Sequence, residues 1–204
     1  MITIIDLNIG NVATFVNLFK RLHIPVKVAN TASELQNSKK LILPGVGSFD
    51  NFMKRIDEYG IHQTLDELVL DKKIPILGVC VGMQVLADRS DEGSCKGLGW
   101  IPGEVKLLES LDLPDNLKIP HMGWNYPIHR NKSTLFSELN DESMFYFLHS
   151  YYFDAKSISN VIASVSYGNE FPCAVNYNNV YGVQFHPEKS HQYGERLLKN
   201  FSAL

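Results

Sequence analysis

The chain has 204 residues, enough for one globular domain with a substantial hydrophobic core. Hydrophobic residues make up 45% of it and charged residues 20%, as in ordinary soluble proteins. The net charge of −3, from 19 basic and 22 acidic residues without a basic cluster, argues against nucleic-acid binding. The sequence contains neither a bilayer-spanning apolar run nor a signal peptide, so we expect a cytoplasmic protein without a membrane partner.

The first half of the chain is expected to alternate between strands and helices. The strands are predicted at residues 2–6, 26–29, 40–43 and 74–79. The helices are predicted at residues 12–22, from residue 31, and at 49–59, 61–70 and 83–88. This alternation is typical of a parallel sheet wrapped by helices, with a functional site at the carboxyl ends of the strands.

The second half is richer in strands, which are predicted at residues 103–108, 144–148, 161–166, 174–177 and 180–185. Gly168-Asn169 and Asn178-Asn179 supply turns for antiparallel pairing, and a last helix is expected at 192–201. Because no low-complexity linker or repeat interrupts the chain, residues 1–204 are predicted to form a single domain. The expected fold class is α/β with three layers: a mostly parallel central sheet flanked by helices, with a more antiparallel second half.

The three cysteines, Cys80, Cys95 and Cys173, are an odd number and lack the paired spacing of a zinc site. They indicate a reducing compartment, which would keep a free thiol reactive. We expect neither a metal nor a cofactor. Cys95 and Cys173 are most simply structural, because neither lies in a turn like the one around Cys80.

The segment from Pro75 to Gln84 predicts a sharp turn from a strand into a helix. Gly78 and Gly82 leave room for that turn and for close backbone approach, so Cys80 would stand exposed at a helix N-terminus. The helix dipole and the free N–H groups there favour the thiolate, which is the nucleophilic form of cysteine. The alternative is a small buried cysteine that ends a core strand.

A second motif, His186-Pro187-Glu188, follows the last predicted strand. In an extended segment, residues i and i+2 point to the same side, so His186 and Glu188 can reach one site. The histidine would accept the thiol proton and the carboxylate would fix its tautomer, while Pro187 restricts the backbone between them. Alone, this turn is more typical of a surface loop. Together with the turn at Cys80, it predicts a Cys-His-Glu triad.

These motifs resemble those of the class I, triad-type glutamine amidotransferases, and the likeness covers nearly all 204 residues. The chain resembles, more narrowly, the glutaminase subunits of imidazole glycerol phosphate synthases. The narrower likeness depends on Pro44-Gly45-Val46-Gly47 and Pro120-His121-Met122-Gly123-Trp124-Asn125. Further matching segments are 4–6, 10–11, 41–49, 97–103, 147–152 and 184–190.

The resemblance implies that Cys80 attacks the carboxamide of glutamine to form a thioester. His186 would accept the thiol proton, give it to the departing ammonia and then activate the hydrolytic water. Glu188 would orient His186. The chain is thus expected to be an enzyme that releases ammonia from glutamine.

The oxyanion formed in that reaction needs hydrogen-bond donors. The N–H of Val81, directly after the nucleophile, is expected to be one. The resemblance implies a second donor in the segment 44–47, at Val46 or Gly47, whose peptide reorients when a partner binds. An ordinary strand-ending turn is the alternative for that segment.

The resemblance also implies the residues that hold glutamine, namely Gly47, Gln84, Glu92, Ser150 and Tyr151. Gln84 lies one helical turn after Cys80 and would face the same side. Glu92 would meet the substrate ammonium group, or else is one of several solvated charges in 88–92. Tyr146, His149 and Tyr151 could equally be aromatic packing on a strand and its following loop.

Free ammonia must be delivered to an acceptor, and the resemblance implies a (β/α)₈-barrel cyclase as the partner subunit. That partner would convert a phosphoribosyl-formimino-carboxamide nucleotide into imidazole glycerol phosphate and AICAR in histidine biosynthesis. The residues implied to face it are Met122, Trp124, Asn125 and Lys189. Trp124 suits an interface, although it could be a half-buried core residue. Lys189 would be a charge partner across the interface or simply solvated.

Three other functions compete with this interpretation. A paralogue could supply ammonia to a sugar amidotransferase of a surface-glycan pathway, since active-site motifs do not report the acceptor. A regulatory module on the same fold would be expected to lack part of the triad, all of which is present. A cysteine peptidase would not need the segment 44–47 together with Gln84 and Glu92.

Overall fold

The computed structural model describes residues 1–114, 117–129 and 133–204. The strands are β1 (Ile2–Ile5), β2 (Val26–Ala29), β3 (Lys40–Gly45), β4 (Ile76–Cys80), β5 (Arg89–Ser90), β6 (Gly103–Leu107), β7 (His121–Asn125), β8 (Ile128–His129), β9 (Phe145–His149), β10 (Tyr151–Ala155), β11 (Val161–Tyr167), β12 (Asn169–Tyr177) and β13 (Val180–Val183). The α-helices are α1 (Val12–Arg21), α2 (Ala32–Leu35), α3 (Phe49–Glu58), α4 (His62–Asp66), α5 (Val81–Gln84) and α6 (His191–Ala203). There is also a π-helical turn at Glu67–Asp71, and there are 3₁₀ turns at Leu108–Leu111, Thr134–Phe136, Ile158–Asn160 and Pro187–Lys189.

A mixed sheet of eight strands, in the order β2-β1-β3-β4-β13-β12-β11-β8, forms the centre of the molecule. Strands β2 to β13 in this order are parallel, and β12, β11 and β8 continue the sheet antiparallel. Two smaller sheets, β10-β6-β5 and β7-β9, lie outside it. The predicted α/β class, with a mostly parallel sheet and an antiparallel second half, is confirmed.

The helices cover the sheet because their apolar residues recur at helical spacing. In α3, the residues Phe49, Phe52, Met53 and Ile56 are all buried, which is the i, i+3, i+4, i+7 pattern of one helix face. The central strand β4 is buried along its whole length, as expected of a parallel strand covered on both faces. Within the described residues, no helix is long and apolar enough to cross a membrane.

Three neighbouring parallel strands bring distant segments of the chain to one edge of the sheet. In the registers of β3, β4 and β13, Gly45 pairs with Cys80 and Val183 pairs with Val79. The residues that follow these strands therefore meet at the carboxyl edge, where α/β sheets form their sites. His186 comes three residues after β13 and so reaches the same edge as Cys80.

The helix predicted at 83–88 is wrong beyond Gln84. The carbonyl groups of Val85, Leu86 and Ala87, which a continuing helix would need, accept hydrogen bonds from residues 98–101 instead. Asp88 then donates its N–H to the Gly103 carbonyl at 2.9 Å and leads into β5. Tertiary hydrogen bonds thus replace the helical ones in a segment of good helix formers.

Two strands near the site, β7 and β10, were not predicted. Strand β7 contains Gly123, with φ of 132°, and β10 follows β9 after a single residue, so neither has the usual signature of an isolated strand. Strand β3 runs two residues further than predicted, through Pro44 and Gly45. The turns predicted at Gly168 and Asn178 are confirmed, and both residues have positive φ.

Candidate active site

The strand-to-helix turn at Cys80 has the strained geometry of a nucleophile elbow. Cys80 ends β4, precedes α5, and has φ of 56° and ψ of −113°, a region that non-glycine residues rarely adopt. Such strain persists only where the surrounding structure imposes it, and it is common at functional sites.

Two glycines make this turn possible, as predicted. A Cβ atom at Gly82 would collide with the Leu43 carbonyl oxygen of the neighbouring strand β3. A Cβ atom at Gly78 would collide with the carbonyl oxygen of Gly82 itself. The helix α5 therefore packs directly on the strands, and this packing fixes the direction of the Cys80 side chain.

The predicted exposed position of Cys80 is wrong, because the residue is only 5% exposed. The Leu148 carbonyl at the end of β9 lies 3.9 Å from the Cys80 sulfur, and the side-chain amide of Gln184 lies 3.7 Å from it. The thiol is thus covered on two sides, and Cys80 lines a cavity.

His186 and Glu188 reach Cys80 through a 3₁₀ turn rather than an extended segment. His186 has extended φ and ψ, and the turn Pro187–Lys189 follows it. The Nδ1 atom of His186 lies 2.9 Å from a carboxylate oxygen of Glu188, and His186 and Cys80 line the same cavity. Both side chains of the His-Glu pair are buried. The predicted spacing of two residues therefore brings the pair together, although the local conformation differs.

Burial alone would lower the pKa of His186. Hydrogen bonds to Cys80 and Glu188, and the charges of these two groups, instead raise the pKa of His186 to about 10. An imidazolium held beside a cysteine favours the thiolate form of that cysteine. The arrangement can therefore supply a nucleophilic sulfur and a nearby proton donor.

A cavity of about 320 Å³ opens over Cys80, which is a common volume for a small-molecule site. Its wall includes Gly47, Gln84, Glu92, Ser150 and Tyr151. The pKa of Tyr151 is raised by burial and further by the neighbouring carboxylates Glu92 and Asp91. The electrostatic potential near Tyr151 and Glu92 in the cavity is therefore negative. Among residues 1–114, 117–129 and 133–204, no group of three or more His, Cys, Asp or Glu side chains could hold a metal ion.

The segment 44–47 lies beside the nucleophile. Pro44 and Gly45 pair with Val79 and Cys80, so Val46 is the first residue beyond the sheet. The Val46 N–H donates to the Ile9 carbonyl at 3.1 Å and is therefore engaged away from any substrate. Gly47 has φ of 99°, which glycine adopts at little cost.

A chain of hydrogen bonds runs from the wall of the cavity to the half-buried Asn125. The Nδ1 atom of His149 lies 2.8 Å from the Tyr151 carbonyl, which can only accept, so His149 donates there. Burial lowers the pKa of His121 to about 4, and burial and the neighbouring histidines lower that of His149 to about 3, so both rings are neutral at pH 7. The bare Nε2 atom of His149 must then accept from Nδ1 of His121, at 2.9 Å. Asn125 completes the chain by donating to Nε2 of His121 at 3.2 Å.

The outer side of the β7-β9 ribbon is apolar and exposed. Met122 is 64% exposed and pairs with Leu148, and Trp124 is 43% exposed and pairs with Tyr146. The Trp124 ring also stacks on His191, with ring centroids 5.2 Å apart. The Lys189 ammonium lies over the Tyr146 ring, 5.5 Å from its centroid.

Comparison with known proteins identifies the family. A model of the family described as glutamine amidotransferase class-I matches residues 3–203. The chain belongs to the class-I glutamine amidotransferase family. This amidotransferase is 52% identical to imidazole glycerol phosphate synthase subunit HisH of Bdellovibrio bacteriovorus, over 100% of both chains. It is 49% identical to the subunit of the same name from Leptospira borgpetersenii, again over 100% of both. A crystal structure of a glutamine amidotransferase matches with a TM-score of 0.77, covering 100% of this chain and 99% of that one at 21% identity, which supports the fold alone.

In this amidotransferase, most of the predicted site residues gather at two neighbouring places. The predicted catalytic and substrate residues surround the cavity, with Glu188 directly behind His186. Met122, Trp124 and Lys189 lie on the surface beside it. Asn125 is different, because it is half-buried and its amide bonds inward to His121 and to the Ser166 carbonyl.

Two residues at the site of this amidotransferase were not predicted from its sequence to act there. His149 was interpreted only as aromatic packing, although it lines the cavity. Gln184 was not singled out, although its amide approaches the Cys80 sulfur. A signal for Gln184 existed: it precedes His186 by two residues, so an extended segment directs both side chains to one face.

The two neutral histidines predict that the amidotransferase loses stability in acid. The pKa of each falls from 6.5 in the unfolded chain to about 4 for His121 and about 3 for His149. Between pH 6.5 and the lowered pKa of each folded histidine, the unfolded chain binds more protons than the folded chain. The free energy of unfolding therefore decreases as the pH falls below 6.5. At about pH 5, each histidine should lower it by roughly 2 kcal/mol. His186, whose pKa is raised, does not oppose this change, because its contribution is complete below pH 6.5.

Urea unfolding of the wild type and of His149→Gln at pH 7 and pH 5 will test this prediction. The variant should lose less stability between the two pH values than the wild type. His23→Asn, at an exposed residue with positive φ that asparagine tolerates, is the control and should behave as the wild type. An equal loss in wild type and His149→Gln would contradict the neutral, buried state of this ring.

Proposed function

We propose that this chain is the glutaminase subunit of an imidazole glycerol phosphate synthase and acts in histidine biosynthesis. The placement of Cys80, His186 and Glu188 at one edge of the sheet is the observation that carries the glutaminase chemistry. Full-length identity of 52% to a HisH subunit supports the choice of acceptor. We further propose that residues 1–204 form one domain and that it works in the reducing cytoplasm, which would keep its three cysteines free.

The reaction begins with attack of the Cys80 sulfur on the side-chain carbonyl carbon of glutamine. His186 takes the thiol proton, and Glu188 holds the ring in the tautomer that allows this transfer. The tetrahedral intermediate then collapses to a thioester, and His186 gives the proton to the departing ammonia. Water, activated by the same ring, hydrolyses the thioester and restores the thiol with release of glutamate.

The oxyanion of this intermediate needs two donors at the elbow. Val81 occupies the first position of α5, where the N–H has no acceptor within the helix. Val46 would provide the second N–H, but it is engaged with the Ile9 carbonyl. We infer that the segment 44–47 must release this hydrogen bond and rotate a peptide before fast turnover, and Gly45 and Gly47 make that rotation easy.

The amino-acid end of glutamine would bind at the far side of the cavity from the sulfur. Glu92 supplies a carboxylate for the substrate ammonium group, and its position is fixed by a hydrogen bond of 2.8 Å from the Phe49 N–H. The raised pKa of Tyr151 supports a negative potential there. Gly47, Gln84, Ser150 and Tyr151 would complete the binding site around the substrate.

A (β/α)₈-barrel synthase subunit is the proposed partner and would receive the ammonia. The exposed outer side of the β7-β9 ribbon is the proposed contact surface, because aromatic and methionine side chains are enriched in interface cores. This surface lies beside the cavity, since Leu148 contributes its side chain to the ribbon and its carbonyl to the surroundings of the sulfur. A sugar amidotransferase as acceptor is not favoured, since the relatives described above carry the synthase name.

The test is the release of ammonia from glutamine, measured for the chain alone and with the cyclase subunit of the same organism and its nucleotide substrate. Strong stimulation supports both the chemistry and the acceptor. A slow basal rate that depends on Cys80, without stimulation, would retain the chemistry and contradict the histidine-pathway acceptor. No Cys80-dependent release under either condition would contradict the glutaminase itself.

Replacing Trp124 by alanine should weaken binding of the cyclase subunit by about 30-fold or more, as loss of a central aromatic anchor usually does. The melting temperature should fall by only a few degrees, because the ring is 43% exposed and loses mainly its stacking on His191. Titration calorimetry and thermal unfolding measure the two effects. Leu70→Ala is the matched control, since Leu70 is also exposed but lies at the opposite end of β4, and it should leave binding unchanged. Unfolding of Trp124→Ala at ordinary temperature would contradict the proposed role.

A further inference from the structure

Gln184 is a fully buried polar side chain that lies against the sulfur of Cys80. It follows β13 directly, is 0% exposed, and donates its backbone N–H to the Cys173 carbonyl at 2.8 Å. Its side-chain nitrogen lies 3.7 Å from the Cys80 sulfur. In the part of the chain that the structure describes, the wall of the cavity does not include Gln184, so it approaches the sulfur from behind.

The surrounding hydrogen bonds fix which end of this amide faces the sulfur. The Tyr151 carbonyl can only accept, so Gln84 must direct its side-chain nitrogen there, at 3.2 Å. The same nitrogen lies 3.1 Å from the Gln184 side-chain oxygen, which is therefore the acceptor. The Gln184 nitrogen must then point to Cys80. If the Gln184 amide were rotated to exchange its oxygen and nitrogen, its NH₂ group would face the NH₂ group of Gln84.

The Tyr151 carbonyl, which orients the Gln84 amide, also accepts a hydrogen bond from His149. His149 donates to the Tyr151 carbonyl at 2.8 Å, and His121 in turn donates to His149. The side chains of Gln84, Gln184, His121 and His149 are all buried, so a rotated amide could not satisfy its lost hydrogen bonds with bulk water. The N–H of Gln184 is thus oriented before substrate arrives.

The polar groups around the sulfur act on it in opposite directions. The Leu148 carbonyl, 3.9 Å away, accepts from the thiol and therefore favours the protonated form. The N–H of Gln184 donates to the sulfur and therefore favours the thiolate, as does the imidazolium of His186. The hydrogen bond from Gln184 thus offsets the effect of the Leu148 carbonyl, which disfavours the thiolate. It does so in a site where burial also disfavours a charged sulfur.

We propose that Gln184 is a positioning residue for the nucleophile: its amide N–H holds the Cys80 sulfur and stabilises the thiolate before attack. This proposal rests on the nucleophilic role of Cys80 proposed above. Because Gln184 is not part of the cavity wall, its replacement should affect the chemical step and leave the binding of glutamine unchanged. Its replacement should therefore lower kcat and leave KM nearly constant.

The test is the rate at which iodoacetamide alkylates Cys80, followed by peptide mass spectrometry over a range of about four pH units. Gln184→Met keeps the volume of the side chain and removes the donor. It should alkylate about tenfold more slowly at neutral pH and move the midpoint of the pH profile upward by about one unit, the effect of losing one hydrogen bond to a charged group. The titratable groups that line the cavity are Glu92, His149, Tyr151, His186 and Lys189, and they are the same in both proteins.

Phe185→Leu is the matched control, because it alters a buried neighbour of Gln184 without removing a donor to the sulfur. It should keep the wild-type alkylation profile even if its melting temperature falls. An unchanged profile in folded Gln184→Met would overturn the proposal, and so would an equal change in Phe185→Leu. A rise in KM together with the fall in kcat would point to substrate contact and overturn it as well.

Two further measurements separate the possible failures. If Gln184→Met does not fold, Gln84→Met is used, since it frees the Gln184 amide to rotate. That variant should show a smaller upward shift of the midpoint, and a wild-type profile would overturn the proposal. Cys80→Ser in the glutaminase assay tests the role of Cys80 separately, so an effect of Gln184 on alkylation can be distinguished from failure of the proposed function.

Discussion

The variant Cys80→Ser will lose glutamine hydrolysis, with or without the synthase partner, by roughly 10⁴-fold or more. The hydroxyl is a far weaker nucleophile than a thiolate, and the residues beside the sulfur are arranged for a thiolate. The fold should persist, because serine replaces one atom in a turn held by Gly78 and Gly82. Ammonia release, thermal unfolding and calorimetric titration of the partner measure the three properties.

The control for this experiment is Cys95→Ser, which changes a half-buried thiol that does not line the cavity. It should retain full activity. If Cys80→Ser unfolds or loses partner binding together with activity, Cys80 is a structural residue and the assigned chemistry is wrong. If it keeps substantial activity, another group must be the nucleophile.

The second large effect is expected at Val46. In Val46→Pro the backbone N–H is absent, so the oxyanion loses a donor and the partner-stimulated rate should fall by roughly 10²–10³-fold. Gly45 before it lies in the extended strand β3, the conformation that a residue before proline favours, and the variant also loses the hydrogen bond to the Ile9 carbonyl. The basal rate should change little, because this N–H is engaged with the Ile9 carbonyl before the segment rotates.

Val46→Ala separates the backbone from the side chain, which is exposed. It keeps the N–H and should retain stimulation within a few-fold. Ammonia release from glutamine at saturating partner, with both variants in parallel, gives the comparison. Full stimulation in Val46→Pro would exclude this N–H as the second donor, and an equal loss in Val46→Ala would assign the effect to the side chain.

Local patterns in the sequence predicted much of the fold because the strands and helices are amphipathic or fully apolar. The helix α3 begins at Phe49 as predicted, and the antiparallel turns occur at Gly168 and Asn178. The predicted helix beyond Gln84 failed because its carbonyl groups bond to a segment more than ten residues away. The strand β7 was missed because its stability depends on pairing with β9, which no local pattern reports.

The candidate site was predicted where chemistry requires a fixed spacing, as in His186 and Glu188, whose contact is observed. The burial of Cys80 could not be predicted, because Leu148 and Gln184 cover it from other strands. The same reason applies to the chain of Asn125, His121 and His149. His121 and Asn125 lie on β7 and His149 lies on β9, so only the pairing register of these two strands brings His149 into contact with His121.

The position of β13 has a consequence for how the protein is made. This strand lies inside the sheet, between β4 and β12, although it is the last strand in the chain. A ribosome releases Cys80 long before it releases residues 180–188, so the emerging chain carries its nucleophile without the base. The central sheet cannot close, and the thiol cannot be activated, until the C-terminal strand inserts. Newly synthesised chains therefore acquire their reactivity and their complete core in the same late step.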